Sequence, residues 1–265
     1  GKTKRNGACS GGGREGKEMQ SITQIADFLE SWAPKSLAEP WDNVGILVRC
    51  DEKVTGILTA LDITPAVVAE AVARKCNLIV AHHPVIFTPL SQIAAGTAAF
   101  ALVQNNVSAI CMHTNLDAAP GGVNDMLVAL FNLQNVTSFG GCGRVGTLRQ
   151  AMRVPQFCAL TGKVLQTHGM YFDSGKEIHT LAIVSGAGGD FMQAAREAGA
   201  DCLLTGEVKY HEALDAKMAD FSFVSAGHFE TEFPIADLLR RRLAAAFPKC
   251  KIYCTQNNET PFTQF

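Results

Sequence analysis

Cys76-Asn77-Leu78-Ile79-Val80-Ala81-His82-His83-Pro84 decides how the rest of the chain is read. A short apolar run, bounded by a polar Asn and ending in two imidazoles and a proline, reads as a fully buried strand of a parallel sheet. Ligands of open α/β sheets gather outside the carboxyl ends of strands, and the histidine pair falls there. Pro84 biases His83 towards extended backbone, so the two side chains should diverge, which suits two metal ions lying side by side. The plainer alternative has one imidazole capping a helix and the other packed in the core.

Working outward, strands are predicted over residues 54–61, ending at Asp62, and over 107–112, ending at His113-Thr114-Asn115-Leu116-Asp117. Thr64-Pro65 supplies an N-cap and an N1 proline for a helix between the 54–61 strand and the strand that ends at His82-His83. Upstream, Ser21-Ile22-Thr23-Gln24 has the capping-box pattern, and Pro40-Trp41-Asp42-Asn43 reads as a polar turn. Residues 139–146 are glycine-rich and read as irregular, so a lobe boundary is placed just before them. Beyond it the alternation resumes, with strands over 180–184, 201–205 and 221–225, and one long helix from Gly227 to about Phe247. Helices and buried strands alternating throughout predict an α/β fold.

Composition narrows the function classes. With 265 residues, 47% of them hydrophobic, the chain can build two lobes or one large α/β unit. Its net charge is −2 and Arg240-Arg241-Arg242 is the one basic run; nucleic acid is not indicated, because phosphate backbones need a concentrated basic face. No stretch approaches the roughly 18 apolar residues of a membrane span. Nine cysteines, mostly within apolar strand patterns and without a CxxC pair, read as reduced thiols of a cytoplasmic protein. Residues 1–18 lack the apolar core of a signal peptide and read as an expression leader, with Met19 as the native start.

Three strand ends carry metal-ligating types: His82-His83, His113 with Asp117, and His228 with Glu232. The last pair, at i and i+4, shares one helix face if the helix opens near His228. Imidazoles and carboxylates without thiolate favour Zn, Fe, Mn, Co or Ni over Mg. Five groups for two ions leave open positions, as catalytic sites do. Asp117 and Glu232 are the bridging candidates, and a bridged pair lowers the pKa of a bound water towards about 7. Each element also has a bland reading: His113 as a cap, Asp117 as a turn residue, His228 and Glu232 as a solvated ion pair. The turn Ser185-Gly186-Ala187-Gly188-Gly189 could offer amides of Gly186, Gly188 and Gly189 to a phosphate, though most such turns are only turns. Glu207 and His211, on a helix that opens just past a strand end, suit substrate contact more than metal.

Together, Asn77 to Pro84, His113 to Asp117, Leu204-Thr205-Gly206-Glu207-Val208-Lys209-Tyr210-His211 and Gly227-His228-Phe229-Glu230-Thr231-Glu232 resemble the Nif-three-like family. Its members are often named GTP cyclohydrolase 1 type 2 homologues. Pro40-Trp41-Asp42-Asn43-Val44-Gly45 and Leu61-Asp62-Ile63-Thr64 fit its N-terminal part, and the resemblance covers nearly everything from Met19 on. It implies two interlinked α/β lobes, residues 19–135 plus 232–265 and residues 136–231, with a dinuclear metal site in the cleft between them. It further implies a ring-shaped homohexamer of the short form, without an inserted domain. Its ligand sets are His82, Asp117 and Glu232 for one metal, and His83, His228 and Glu232 for the other.

The family's common name implies a nucleotide substrate, GTP, whose imidazole ring opens at C8 with release of formate. His113 or His211 could then serve as proton donor. Residues and resemblance leave two function classes: a dinuclear hydrolase of a nucleotide or a phosphoester, and a non-catalytic metal-binding regulator or metal-insertion factor.

Overall fold

Ser21 opens the first helix as its spacing requires: its hydroxyl accepts from the Gln24 amide at 3.0 Å, and the Gln24 side chain takes up the Ser21 amide at 2.8 Å. The computed structural model describes residues 19–263, so the leader expected over residues 1–18 lies outside the described residues. The chain runs α1 (Ile22–Trp32), β1 (Gly45–Val48), β2 (Ile57–Ala60), α2 (Pro65–Ala73), β3 (Leu78–Ala81), α3 (Ala98–Gln104), β4 (Ser108–Cys111), α4 (Thr114–Ala118) and α5 (Val123–Leu130). It continues through β5 (Gln134–Phe139), β6 (Gly143–Arg153), α6 (Val154–Leu165), β7 (Met170–Phe172), β8 (Glu177–Val184), α7 (Met192–Glu197), β9 (Cys202–Thr205), α8 (Tyr210–Met218) and β10 (Ser222–Ser225). The last elements are α9 (His228–Glu232), α10 (Ile235–Ala246) and β11 (Ile252–Cys254).

Two mixed sheets form, in the orders β1-β4-β3-β2-β11 and β5-β6-β8-β9-β10-β7. In the first, β2, β3, β4 and β11 are parallel and β1 is antiparallel. The expected run over β3 is buried on both faces. Leu78 and Val80 pack with Leu29, Leu239 and Leu243, while Ile79 and Ala81 pack with Val67 and Leu102. Period-two alternation between two covered faces is why the run carries no polar residue. In the second sheet Leu181 and Ile183 pack with Leu127 and Phe157, and Ala182 and Val184 pack with Met192 and Ala216.

Two expectations change. The glycine-rich stretch 139–146 is a β-hairpin: Gly140 and Gly141 turn with φ of 57° and 86°, and Phe139 pairs with Gly143. The expected single helix from Gly227 breaks into α9 and α10, because Pro234 has no amide hydrogen to donate to the turn before it. Every cysteine among the described residues is a free thiol. No described helix is long and apolar enough to cross a membrane.

Candidate metal centre

Strands β2, β3 and β4 run in parallel register, Ala60 beside Ala81 and Ala81 beside Cys111, so they end at one edge. Asp62, His82-His83 and His113 follow those ends. The His82 and His83 amides donate to Ala60 and Leu61 carbonyls at 3.3 and 3.0 Å, continuing the parallel pairing past the strand end, and the two rings, expected to diverge, lie with centroids 5.2 Å apart at 37°. From the second sheet, β8 delivers Ser185 and Gly186, and β10 delivers His228 and Glu232 on α9.

His82 is fully buried, and its Nδ1 lies 2.8 Å from the Met112 carbonyl. A carbonyl only accepts, so Nδ1 carries a hydrogen, and in the neutral ring it is Nε2 that keeps the lone pair. That Nε2 has no hydrogen-bond partner. It stands 3.6 Å from Asp117 Oδ1 and 3.8 Å from Glu232 Oε1, beyond hydrogen-bond reach. Leaving such an atom buried and unpaired costs about 1–3 kcal/mol. Around the other oxygen of Glu232 stand His83 Nε2 at 2.8 Å and His228 Nε2 at 3.0 Å. Donor atoms of His82, Asp117 and Glu232, of His83, His228 and Glu232, and of His82, His83 and His113 each lie within 4.8 Å of one another.

The remote nitrogens are also held. His83 Nδ1 meets Asp62 Oδ1 at 2.7 Å, and His228 Nδ1 meets Glu207 Oε1 at 3.3 Å. An acceptor behind each imidazole is the arrangement that fixes tautomer and ring orientation in metal ligands. Ser185 Oγ donates to Asp117 Oδ1 at 3.2 Å, and the buried Arg144 donates to the Ala118 carbonyl at 3.0 Å, bracing the turn after Asp117. A Cβ on Gly186 would stand 2.2 Å from Glu232 Oε1, so only glycine leaves room there. A buried, unpartnered imidazole nitrogen facing the half-buried Asp117 and the buried Glu232, beside two more imidazoles, is a donor set that fits a divalent transition metal.

The electrostatics match this packing. Burial works to lower His82, yet the charges of Asp117 and Glu232 raise it above the ordinary imidazole range. Burial also opposes His83, and Asp62 and Glu232 outweigh it, raising His83 to about 10. His228 is raised by its bond to Glu232. Burial pushes Asp117 up. Glu232 is pulled well below the usual carboxylate range, because the imidazoles of His228, His82 and His83 outweigh burial. Ions of either kind compete here: a metal must displace these protons.

His113, expected as proton donor or cap, is the N-cap residue of α4 and is gripped by a residue whose role the sequence did not suggest. Asp42 Oδ1 lies 2.9 Å from His113 Nδ1, and Asp42 also accepts from the Thr114 amide and hydroxyl. These bonds overcome burial and bring the Asp42 carboxyl down to about 2. The sequence offered at Asp42 a turn signal and a place in the Pro40–Gly45 stretch of the family resemblance, neither of which assigned it a role. His211 is exposed on α8 and is not among the residues lining the cleft. Glu207, expected at the substrate, sits behind His228. The Gly186 amide is donated to Thr231 and the Gly188 amide to Gly186 and Thr205, while Gly189 is packed against Glu212. His83, His113, Asp117, Ser185, His228 and Glu232 line a cleft of about 830 Å³.

The Duf34/NIF3 (NGG1p interacting factor 3) family profile matches residues 20–261. A GTP cyclohydrolase 1 type 2 homolog of Clostridium acetobutylicum is 33% identical, covering 91% of this chain and 97% of its own. One of Lactococcus lactis is 32% identical, covering 90% and 98%. Among solved structures, Staphylococcus aureus hypothetical protein SA1388 superposes with a TM-score of 0.87 at 28% identity, over 94% of this chain and 100% of that one. The chain belongs to the Duf34/NIF3 family.

Proposed function

We propose that the chain is a hydrolase dependent on two divalent transition-metal ions (Zn, Fe, Mn, Co or Ni) held side by side, acting on a small molecule of nucleotide type. His82, Asp117 and Glu232 would hold one ion, and His83, His228 and Glu232 the other. The observation that carries the reading is the buried, unpartnered Nε2 of His82 opposite Asp117 and Glu232, with the second oxygen of Glu232 serving His83 and His228. Ions bound there would supply Lewis acidity and an activated water at neutral pH.

The protein's own groups do the rest. Asp62, Glu207 and the Met112 carbonyl fix the tautomers of His83, His228 and His82, so each presents a lone pair to the same space. Asp42 keeps the hydrogen of His113 on Nδ1, which leaves Nε2 to take or give a proton in the cleft. The short-form homohexamer, implied by the family resemblance of the sequence motifs, and a cytoplasmic setting, read from the cysteine usage, belong to the same proposal. The test is metal-loaded pure protein offered purine nucleosides, nucleotides and a phosphoester. Release of formate or phosphate supports a hydrolase. Tight metal binding without release of either favours a regulator or metal-insertion factor.

A further inference from the structure

Trp41 and Phe87 stand at the mouth of the cleft, 58% and 53% exposed, with ring centroids 5.6 Å apart. Both rings stand at a steep angle, 73°, to the His113 ring, with centroids 6.1 and 6.2 Å from it. A single exposed aromatic residue needs no explanation, but an adjoining pair at the lip of a polar cleft marks a binding surface.

This lip is braced from below. Asn43 Nδ2 donates to the Ile86 carbonyl at 2.6 Å, tying the residues beside Trp41 to those beside Phe87. Asp42 holds His113 and Thr114, and the Glu39 amide donates to Thr114 Oγ1 at 2.9 Å. Trp41 therefore lies within a segment pinned on both sides to the elements that carry the site. A pre-set surface loses little freedom when a ligand lands on it. Two stacked layers need about 3.5 Å each, so the 5.6 Å spacing admits no ring between the two side chains. A ligand ring lies on their open faces instead.

Charge limits what the ring can carry. Among the described residues that line the cleft there is no Lys or Arg, whereas Glu39, Asp117, Asp190 and Glu232 are all present. The amides of Gly186 and Gly188 are already donated inside the protein. Apart from the proposed ions themselves, a triphosphate tail reaching past the metal ligands would meet carboxylates and no lysine or arginine. We infer that the cleft takes a planar heteroaromatic compound without a polyphosphate tail, its ring stacked on Trp41 and Phe87 and its reacting end against His113. This rests on the reading of the cleft as the reactive site.

Intrinsic fluorescence reads the test directly. The chain has two tryptophans, and Trp32 is packed under Arg242 with its Nε1 bonded to the Pro120 carbonyl, which leaves Trp41 as the reporter at the cleft. Guanosine, GTP and ribose are titrated into full-length protein, with and without Zn, against Trp41→Ala, Trp41→Phe and Phe87→Leu. Binding to the Trp41 variants, which lack the reporter, is read by calorimetry. Guanosine should quench Trp41, ribose should not, and GTP should bind no more than about threefold tighter than guanosine. Trp41→Ala should weaken guanosine by about 5- to 150-fold, the range for losing one base–aromatic stack, and Trp41→Phe should restore most of it. Zn binding should be the same in all variants. Guanosine affinity unchanged in Trp41→Ala, or GTP binding more than tenfold tighter than guanosine, would overturn the inference. Absence of Zn binding in every protein would instead remove the metal reading and leave ring binding to be judged alone.

Discussion

His82 Nε2 and Glu232 Oε1 face each other across 3.8 Å, while the other oxygen of Glu232 is shared by His83 and His228. One buried carboxylate thus turns its two oxygens to two different imidazole sets. What keeps it there is partly an absence of side chain: Gly186, at φ +60°, packs directly on Oε1. Gly186→Ala should displace Glu232 and crowd His228 Nε2, 3.2 Å from the added Cβ, while leaving every proposed ligand in the sequence. We expect metal affinity to fall at least about tenfold and stability to drop by about 1–2 kcal/mol from the left-handed backbone alone. Metal titration and urea unfolding read the two effects; unchanged affinity would mean that the position of Glu232 is not critical.

Asp42 makes a pH prediction with a definite sign. Its carboxyl is held at about 2, below the ordinary 3.8, because bonds from His113 and Thr114 outweigh burial. A lowered carboxyl contributes stability that is present above 3.8 and lost as pH falls through about 2. Asp42→Asn should therefore be less stable than wild type at pH 7, and the gap should close as pH falls from about 4 to 2. Urea unfolding across that range checks it. A gap independent of pH would show that the charge of Asp42 is not what grips His113.

His113→Ala should keep the metal content and lower turnover by about 10²–10⁴-fold, the usual share of a proton-transfer group. His113 also lies within ligand distance of His82 and His83. Elemental analysis separates the roles, because loss of an ion in this variant would make His113 a ligand.

The first lobe is proposed to be discontinuous. Ile235, Leu239 and Leu243 of α10 share a core with Leu29, Ile57 and Leu78, and β11 pairs with β2. Truncation after Asn135 should give an aggregated fragment, since it strips a helix and an edge strand from that core. A soluble fragment that binds metal would contradict the arrangement.

Much of this was legible because buried parallel strands announce themselves. Leu78 to Ala81 carries no polar residue, so the position of His82-His83 at a strand end followed from hydrophobicity alone. The pairing of His228 with Glu232 was legible from their spacing. The hairpin at Gly140-Gly141 was not, because β6 mixes Gly143, Arg144 and Gly146 into its pattern, and the buried Arg144 is satisfied in part by Asp125 and by the Ala118 carbonyl, 19 and 26 residues away. Asp42 was missed for a similar reason. Its partners His113 and Thr114 lie 71 and 72 residues away, and its one local bond, from the Asn43 amide, is what any turn aspartate makes.

Metal titration of Glu232→Gln against His228→Ala, with circular dichroism as the fold control, tests the central claim most directly. Gln keeps the shape of Glu232 and removes its charge, and Glu232 is 3% exposed, so little else changes. Wild type should bind two ions per chain. Glu232→Gln should lose affinity for both together by at least about tenfold, whereas His228→Ala should empty mainly one site. Two ions bound by Glu232→Gln with wild-type affinity would contradict the account.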